Sequence, residues 1–249
     1  MSCILIALIL ISVSCSECDC ADLTKKNGLW VTKAGEVFSG KCEKKDENGN
    51  VVLKMKIKNG LKHGYLTRYS FNGSLIFEAE YINGLPQGEY FQYFNDGRFK
   101  SIRLLHDSMY LYAGWGADGG LRIVREETSD SIADGRTVVY NEKGKVQTLI
   151  QFRKGIKIGK FMTWHDNGNP EMLGQYQNGS SDGMWLKLFP DGKLEAFELY
   201  ENGKRNGTWK SYYNNGKLKV IYRFKDSRVI YQGNWSENGT KTDEFTREL

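Results

Sequence analysis

The chain has 249 residues, and its 35 lysines and arginines outnumber its 30 aspartates and glutamates by five. Charges of both signs are spread along the sequence. They form no concentrated basic stripe of the kind that follows a phosphate backbone, so we expect no nucleic-acid partner. Fourteen Tyr, twelve Phe and six Trp accompany only three Pro. That composition favours β-strands over helices or disorder.

The first residues predict export. Ile4 to Ile11 form an unbroken apolar run, which has the length of a signal-peptide core and is too short to cross a bilayer as a helix. The run leads through Ser12-Val13-Ser14 to Cys15, and this order resembles the lipobox of bacterial lipoproteins. In that motif the cysteine receives a lipid after the signal peptide is removed.

We therefore expect a signal peptide with a lipobox over residues 1–15, a tether over residues 16–27, and a membrane anchor on a lipidated Cys15. These features predict an exported protein of the bacterial cell envelope. Cleavage near Ser14 or Ser16 without lipidation is the alternative, and it predicts a periplasmic or secreted protein.

Three further cysteines follow in the exported part of the chain. The spacing of Cys18 and Cys20 is too short for a zinc knuckle. In an oxidising envelope, we expect either Cys18 or Cys20 to form a disulfide with Cys42. That bond would fix the N-terminal segment onto the first repeat.

Glycine recurs with a period of 23 or 24 residues along the chain. One series comprises Gly49, Gly73, Gly97, Gly120, Gly144, Gly168, Gly192, Gly216 and Gly239. A second comprises Gly40, Gly64, Gly88, Gly135, Gly159, Gly183 and Gly207, with one unit missing between Gly88 and Gly135. Such a period indicates a tandem array in which each unit contacts mainly its neighbours.

Each unit holds two strand-length runs and two turns, as residues 64–87 illustrate. The first turn carries Asn72-Gly73, and we expect a type I′ hairpin turn there because Asn and Gly accept positive φ. The second turn, from Asn83 through Gly84 to Gly88, links one hairpin to the next.

Apolar residues recur at fixed positions when each unit is numbered from its leading glycine as zero. Position +2 is Leu, Tyr, Phe or Trp, and position +5 is mostly aromatic. Positions +11, +13, +15 and +17 alternate and predict one face of a strand, as in Leu75, Phe77, Ala79 and Tyr81. Positions +2 and +5 differ by three, so either both faces are covered or a bulge intervenes.

The glycine period shortens by one residue in two segments that begin with Asp107-Ser108 and Asp226-Ser227. The second segment lies in the last unit, where a cap is expected. We therefore predict two repeat blocks, residues 28–128 and 129–240, followed by a C-terminal tail over residues 241–249. One uninterrupted array is the alternative.

The string Gly207-x-Trp209-x-x-Tyr212, followed by Asn215-Gly216-x-Leu218, resembles the bacterial variant of the MORN repeat (membrane occupation and recognition nexus). The resemblance covers about residues 28–240. It implies an all-β fold in which tandem hairpins of about 24 residues form an elongated, twisted antiparallel sheet. Some bacterial relatives are labelled as antitoxins and others as exported lipoproteins, and the family supplies no catalytic residues.

The sequence predicts no catalytic, cofactor or metal site. His63, His106 and His165 lie far apart in the sequence, and no group of His, Cys and acidic residues has the spacing of metal ligands. His165 and Asp166 are adjacent on a strand, so their side chains point to opposite faces and do not form a dyad.

We therefore expect a non-enzymatic binding or scaffold protein. Its candidate binding residues are Phe94, Phe189 and Tyr213, the aromatics at position +6, for which a second packed face is the alternative reading. The partner is a protein, a glycan or lipid headgroups. An antitoxin that neutralises a toxin by direct binding is the alternative function, and the apolar N-terminal run argues against its cytosolic location.

Overall fold

The computed structural model describes residues 17–106, 108–225 and 227–247. The expected signal peptide and the lipidation site Cys15 lie outside the described residues. Nearly all secondary structure is β-strand, and the exception is one 3-10 turn over Cys20–Asp22. No helix in the described part of the chain has the length and apolar character needed to cross a membrane. The predicted all-β fold of tandem hairpins is confirmed.

The chain divides into two compact units, and the first ends at Leu105. In unit 1, strands β4 to β9 pair antiparallel in chain order, β1 pairs parallel with β4, and β2 and β3 form a separate hairpin. The strands of unit 1 are β1 (Glu17–Asp19), β2 (Leu23–Lys26), β3 (Leu29–Thr32), β4 (Gly40–Lys45), β5 (Val51–Lys58), β6 (Leu61–Tyr69), β7 (Leu75–Ile82), β8 (Leu85–Tyr93) and β9 (Phe99–His106).

Unit 2 begins at His106, and its successive strands pair antiparallel in chain order with one interruption. Only β17 has two successors beside it, β18 and β19, because they are parts of one interrupted strand. The strands of unit 2 are β10 (Met109–Trp115), β11 (Leu121–Glu127), β12 (Ala133–Tyr140), β13 (Val146–Arg153), β14 (Ile156–Trp164), β15 (Pro170–Gln177), β16 (Ser180–Leu188), β17 (Leu194–Glu201), β18 (Lys204–Arg205), β19 (Gly207–Tyr212), β20 (Leu218–Lys225), β21 (Arg228–Trp235) and β22 (Lys241–Thr246).

The structure shows which elements lie at three of the expected segment boundaries. The joint expected between residues 128 and 129 lies in the turn between β11 and β12, which pair with each other within unit 2. The expected tether is folded from residue 17 onward, since β1 pairs with β4 and Leu23 is buried. The expected tail contains β22, which pairs with β21 because Asn238-Gly239 closes one more hairpin.

The first turn of each unit is longer than the predicted type I′ turn. Tyr69 pairs with Leu75, which leaves five residues between the strands. The N–H of Gly73 donates to the carbonyl of Ser70 at 2.9 Å, and only Gly73 has positive φ. This is a type I turn followed by a left-handed glycine. The Asn72 side chain accepts the N–H of Ser74 at 3.2 Å, which explains Asn or Asp at this position.

The type I′ geometry occurs instead in the second turn. Ile82 pairs with Leu85, so Asn83 and Gly84 alone form the loop, with φ of 50° and 82°. The N–H of Gly84 also donates to the carbonyl of Lys62 in the preceding strand pair, at 2.8 Å. The equivalent turns are Asn59-Gly60, Lys154-Gly155, Asn178-Gly179 and Asn202-Gly203. These turns therefore close each linker and also bond it to the previous repeat.

A bulge between positions +11 and +13 decides which side chains share a face. Arg68 pairs with Phe77, but the next residue, Tyr69, pairs with Leu75. Cross-strand partners share a face and consecutive residues on a strand alternate, so Leu75 and Phe77 lie on opposite faces. The prediction that +11 shares the face of +13 to +17 is therefore wrong. The same shift recurs in other units, and positions +2 and +5 lie on opposite faces.

The core of unit 1 is built around a disulfide between Cys20 and Cys42, one of the two pairings that the sequence left open. Both cysteines are buried, together with Phe38, Met55 and Leu66. Met55 pairs with Cys42 on one side and with Leu66 on the other. The bond thus ties the N-terminal segment to a row of buried side chains that crosses three strands.

Loss of this disulfide should destabilise unit 1. The bond closes a loop with a sequence separation of 22, so we expect the variant C20S/C42S to lose about 3 kcal/mol of unfolding free energy. Urea unfolding measures the change. Reductant should destabilise the unaltered chain by a similar amount and leave the variant unaffected. Equal stability of the unaltered chain with and without reductant would contradict this structure.

Lys154 occupies a left-handed position that carries Asn in the equivalent turns, with φ of 49°. Asn tolerates this conformation better than Lys because its short side chain bonds locally. We expect K154N to raise the unfolding free energy by about 0.5–1 kcal/mol. The reciprocal variant N178K should lower it by a similar amount. No change in the midpoint of thermal unfolding for either variant would show that this turn is not type I′.

Candidate functional site

The sheet of unit 2 carries apolar side chains on both faces. Phe161 pairs with Gly174, while the next residue, Met162, pairs with Leu173. Positions +2, +15 and +17 therefore lie on one face, and positions +3, +5, +11 and +14 lie on the other. We call the first the aromatic face, and its rings are Phe161, Tyr176, Trp185, Tyr200, Trp209 and Phe224.

The rings of the aromatic face form a continuous series. Ring centroids are 5.6 Å apart from Phe161 to Tyr176, and 5.1 Å from Tyr176 to Trp185. The series continues to Tyr200 at 6.2 Å and from there to Trp209 at 4.9 Å. Trp185 and Trp209 are only 6% and 7% exposed. The aromatic face is thus the better-buried core of unit 2, and each ring stabilises its neighbours.

Cations cover parts of the aromatic face. The Arg205 guanidinium lies 4.6 Å from the ring centroid of Trp209, and the Lys157 ammonium lies 5.0 Å from that of Tyr176. The Tyr200 hydroxyl donates to the Glu198 carboxylate at 3.1 Å. Burial, and then the charge of Glu198, raise the pKa of Tyr200 to about 12. Tyr200 therefore stays neutral at physiological pH and acts as a donor.

Gly174 makes room for the broadest ring of this face. A Cβ built on Gly174 would overlap the ring of Trp185. In unit 1 the corresponding pair is Ala79 and Tyr90, which lie opposite each other on β7 and β8. The small residue at position +15 thus compensates for the size of the side chain beside it.

The opposite side, which we call the aliphatic face, consists of two rows that cross unit 2. The inner row runs through Val124, Val138, Leu149, Met162, Leu173, Leu186 and Phe197, and the exposed Lys210 then separates Phe197 from the last member, Ile221. The outer row comprises Tyr140, Val146, Trp164, Pro170, Leu188, Leu194, Tyr212 and Leu218. Every member of both rows is half-buried and none is fully buried. The aliphatic face is therefore an apolar surface that solvent still reaches.

Unit 1 repeats this surface only in part. The positions that match the inner row, in order of pairing, are Glu43, Lys54, Thr67, Glu78, Phe91 and Ile102, and the first four are polar. Glu43 and Lys54 form an ion pair at 2.8 Å. Since both units share the same repeat geometry, the fold does not require an apolar inner row. The row in unit 2 is a property of its sequence.

The candidate binding residues lie at the first turns and not on either flat face. Each of the three side chains, Phe94, Phe189 and Tyr213, is half-buried. Each residue is the first of its turn, and its backbone N–H donates to the carbonyl of the last residue of that turn. The Tyr213 hydroxyl donates to the carbonyl of Trp235 at 2.9 Å, so this ring joins two successive turns. The inner row escaped sequence reasoning, although Val, Met and Leu at position +3 were its visible signal.

The histidines form no catalytic or metal site in the described part of the chain. The Nε2 of His165 lies 2.8 Å from the carbonyl oxygen of Leu188 in the next repeat, which is a structural contact. His63 has a buried Nδ1, and the His106 side chain is outside the described residues. Within residues 17–106, 108–225 and 227–247, no three His, Cys, Asp or Glu side chains are grouped as metal ligands would be.

Comparison with known proteins identifies the repeat. The family model of the MORN repeat variant matches residues 62–83, 157–178 and 205–226. Each match starts two residues before a leading glycine and spans one hairpin, so the resemblance is confirmed at three repeats. No curated protein matches the chain.

One solved structure, titled "Crystal Structure of TcdB2-TccC3-TEV", is similar over 78% of this chain and 14% of that chain, at 12% identity. The TM-score is 0.20, and the likeness therefore carries no argument about fold or function.

The fit between Gly174 and Trp185 can be tested by a double-mutant cycle. We expect G174A to destabilise the chain by about 1–3 kcal/mol, because the new methyl group overlaps the ring. In the double variant G174A/W185L the smaller leucine leaves room for the new methyl group, so G174A should cost about 1 kcal/mol less in the W185L background. Strictly additive unfolding free energies would show that the ring does not lie on Gly174.

Proposed function

We propose that this chain is a non-enzymatic repeat protein of the bacterial cell envelope that binds or scaffolds a partner through the aliphatic face of unit 2. The single observation that carries the proposal is the contrast between the two faces. The aromatic face contains three buried rings, Trp185, Trp209 and Phe224, whereas every side chain of the two apolar rows opposite is only half-buried. A contiguous apolar surface of this extent is typical of an interaction site.

The repeat architecture supports binding rather than catalysis. Stacked repeats present an extended surface on which side chains recur at regular distances. Tyr140 and Trp164 of the outer row lie two strands apart, so they are about 10 Å apart along the sheet, given a strand spacing of about 4.8 Å. Such a surface suits an extended partner that makes the same contact several times.

The envelope location rests on the sequence and on one feature of the fold. The apolar run and Cys15 predict export and a lipid anchor. The disulfide between Cys20 and Cys42 agrees with an oxidising compartment, because cytosolic thiols stay reduced. The antitoxin alternative requires a cytosolic location, and no contact of the described residues favours it.

Photo-crosslinking in the producing cells tests the binding surface. A benzophenone amino acid is placed at Leu149 or Leu186 in the inner row, or at the adjacent Thr148 or Lys187, which point to the opposite face. All four side chains are half-buried, so the positions are matched in burial. We expect a defined adduct from the inner-row positions and none from their neighbours.

Adducts from Thr148 and Lys187 alone would assign binding to the aromatic face. Absence of adducts from all four positions, in chains that retain the unaltered unfolding midpoint, would contradict the proposal.

A further inference from the structure

Unit 1 contains a groove along its first turns that involves no residue of the aliphatic face. Two adjoining cavities of about 910 and 430 Å³ share Ile76 and Asn95 in their linings. They extend over the ends of β4 to β8. The larger cavity has the size of a ligand site. We call the two cavities together the first-turn groove.

Part of the lining of the groove is apolar. Val52 and Ile76 supply aliphatic side chains, and Tyr69 and Tyr93 supply rings. Phe71 at the turn is 84% exposed, which is the highest exposure recorded among the large apolar side chains of the described residues. An aliphatic floor with exposed rings favours an apolar side chain as the occupant over sugar hydroxyls, which need hydrogen-bonding partners.

Positive charge dominates the groove. Lys44 and Lys45 line the larger cavity, and Arg68 and Lys100 line the smaller one. Among the ion pairs of the described residues, none involves Lys44, Lys45 or Lys100. These cations are therefore available to an acidic ligand.

Two carboxylates also line the groove, and one of them already accepts hydrogen bonds within its own turn. Asp46 accepts the backbone N–H groups of Asn48 at 3.0 Å and Asn50 at 2.8 Å, so its charge stabilises its own turn. Glu47 is the other carboxylate. Four cations thus face two carboxylates, so the lining keeps an excess of positive charge and the groove is complementary to negative charge.

We propose that the first-turn groove binds an acidic peptide segment that carries an aromatic or aliphatic anchor side chain. The anchor lies against Val52 and Ile76 beside the ring of Tyr69. Carboxylates next to the anchor pair with Lys44 and Lys45. The contact goes beyond the proposed function, because it is a second site with its own ligand chemistry and unit 2 contributes nothing to it.

Selection from a displayed random-peptide library tests this site. The purified full chain is the bait, and the selected peptides are then measured against two charge-reversal variants. The variant K44E/K45E alters the groove. The control K25E/K26E changes two adjacent lysines of unit 1 that do not line it. Urea unfolding establishes that both variants are folded before binding is compared.

We expect the selected sequences to combine Asp or Glu with an aromatic or aliphatic residue. Their affinity should fall about tenfold or more for K44E/K45E and stay unchanged for K25E/K26E. Absence of enrichment, enrichment of basic or uncharged sequences, or equal loss for both variants would overturn the proposal. So would binding of vesicles that contain phosphatidylglycerol with the same variant dependence and no peptide binding, because the site would then recognise a lipid surface.

Discussion

The register between neighbouring strands is the constraint on which both units depend. Within each unit the repeats form a single layer, so a side chain is buried mainly by the strands on either side of its own. Leu66 is buried because Met55 and Ala79 lie directly opposite it on the two adjacent strands. A shift of one residue would move this entire row to the other face. Stability in this fold is therefore a sum of similar contacts between adjacent strands.

Two structural features maintain that register, and the second also determines which side chains lie on which face. The two-residue type I′ turns, such as Asn83-Gly84, bond each linker to the preceding repeat. The bulge after position +4 sends Tyr69 and Leu75 to the face opposite Phe77. In unit 2, the same bulge fills one face with buried rings and leaves two apolar rows half-buried on the other. The proposed binding surface thus follows from the way in which the repeat is folded.

Sequence alone predicted the period, the hairpins and the apolar character of position +2, because glycine spacing and ring content are local signals. It did not predict that Leu75 and Phe77 lie on opposite faces. A bulge adds one residue to the strand, and a strict alternation of apolar and polar residues does not reveal that extra residue. It assigned type I′ geometry to Asn72-Gly73 from the two turn residues alone. The length of the loop depends on the pairing between Tyr69 and Leu75, which the turn residues do not reveal. The inner row was missed because it, too, is defined by pairing between strands.

The measurement that tests the register most directly is NMR of the Gly174 α-protons in the full chain. The structure places one of them, the α-proton in the position that a Cβ would take, against the ring of Trp185. We expect a strong upfield ring-current shift for this α-proton and a nuclear Overhauser effect from it to the indole ring. Ordinary chemical shifts, with no effect between Gly174 and Trp185 in the folded protein, would contradict the register and the division of faces derived from it.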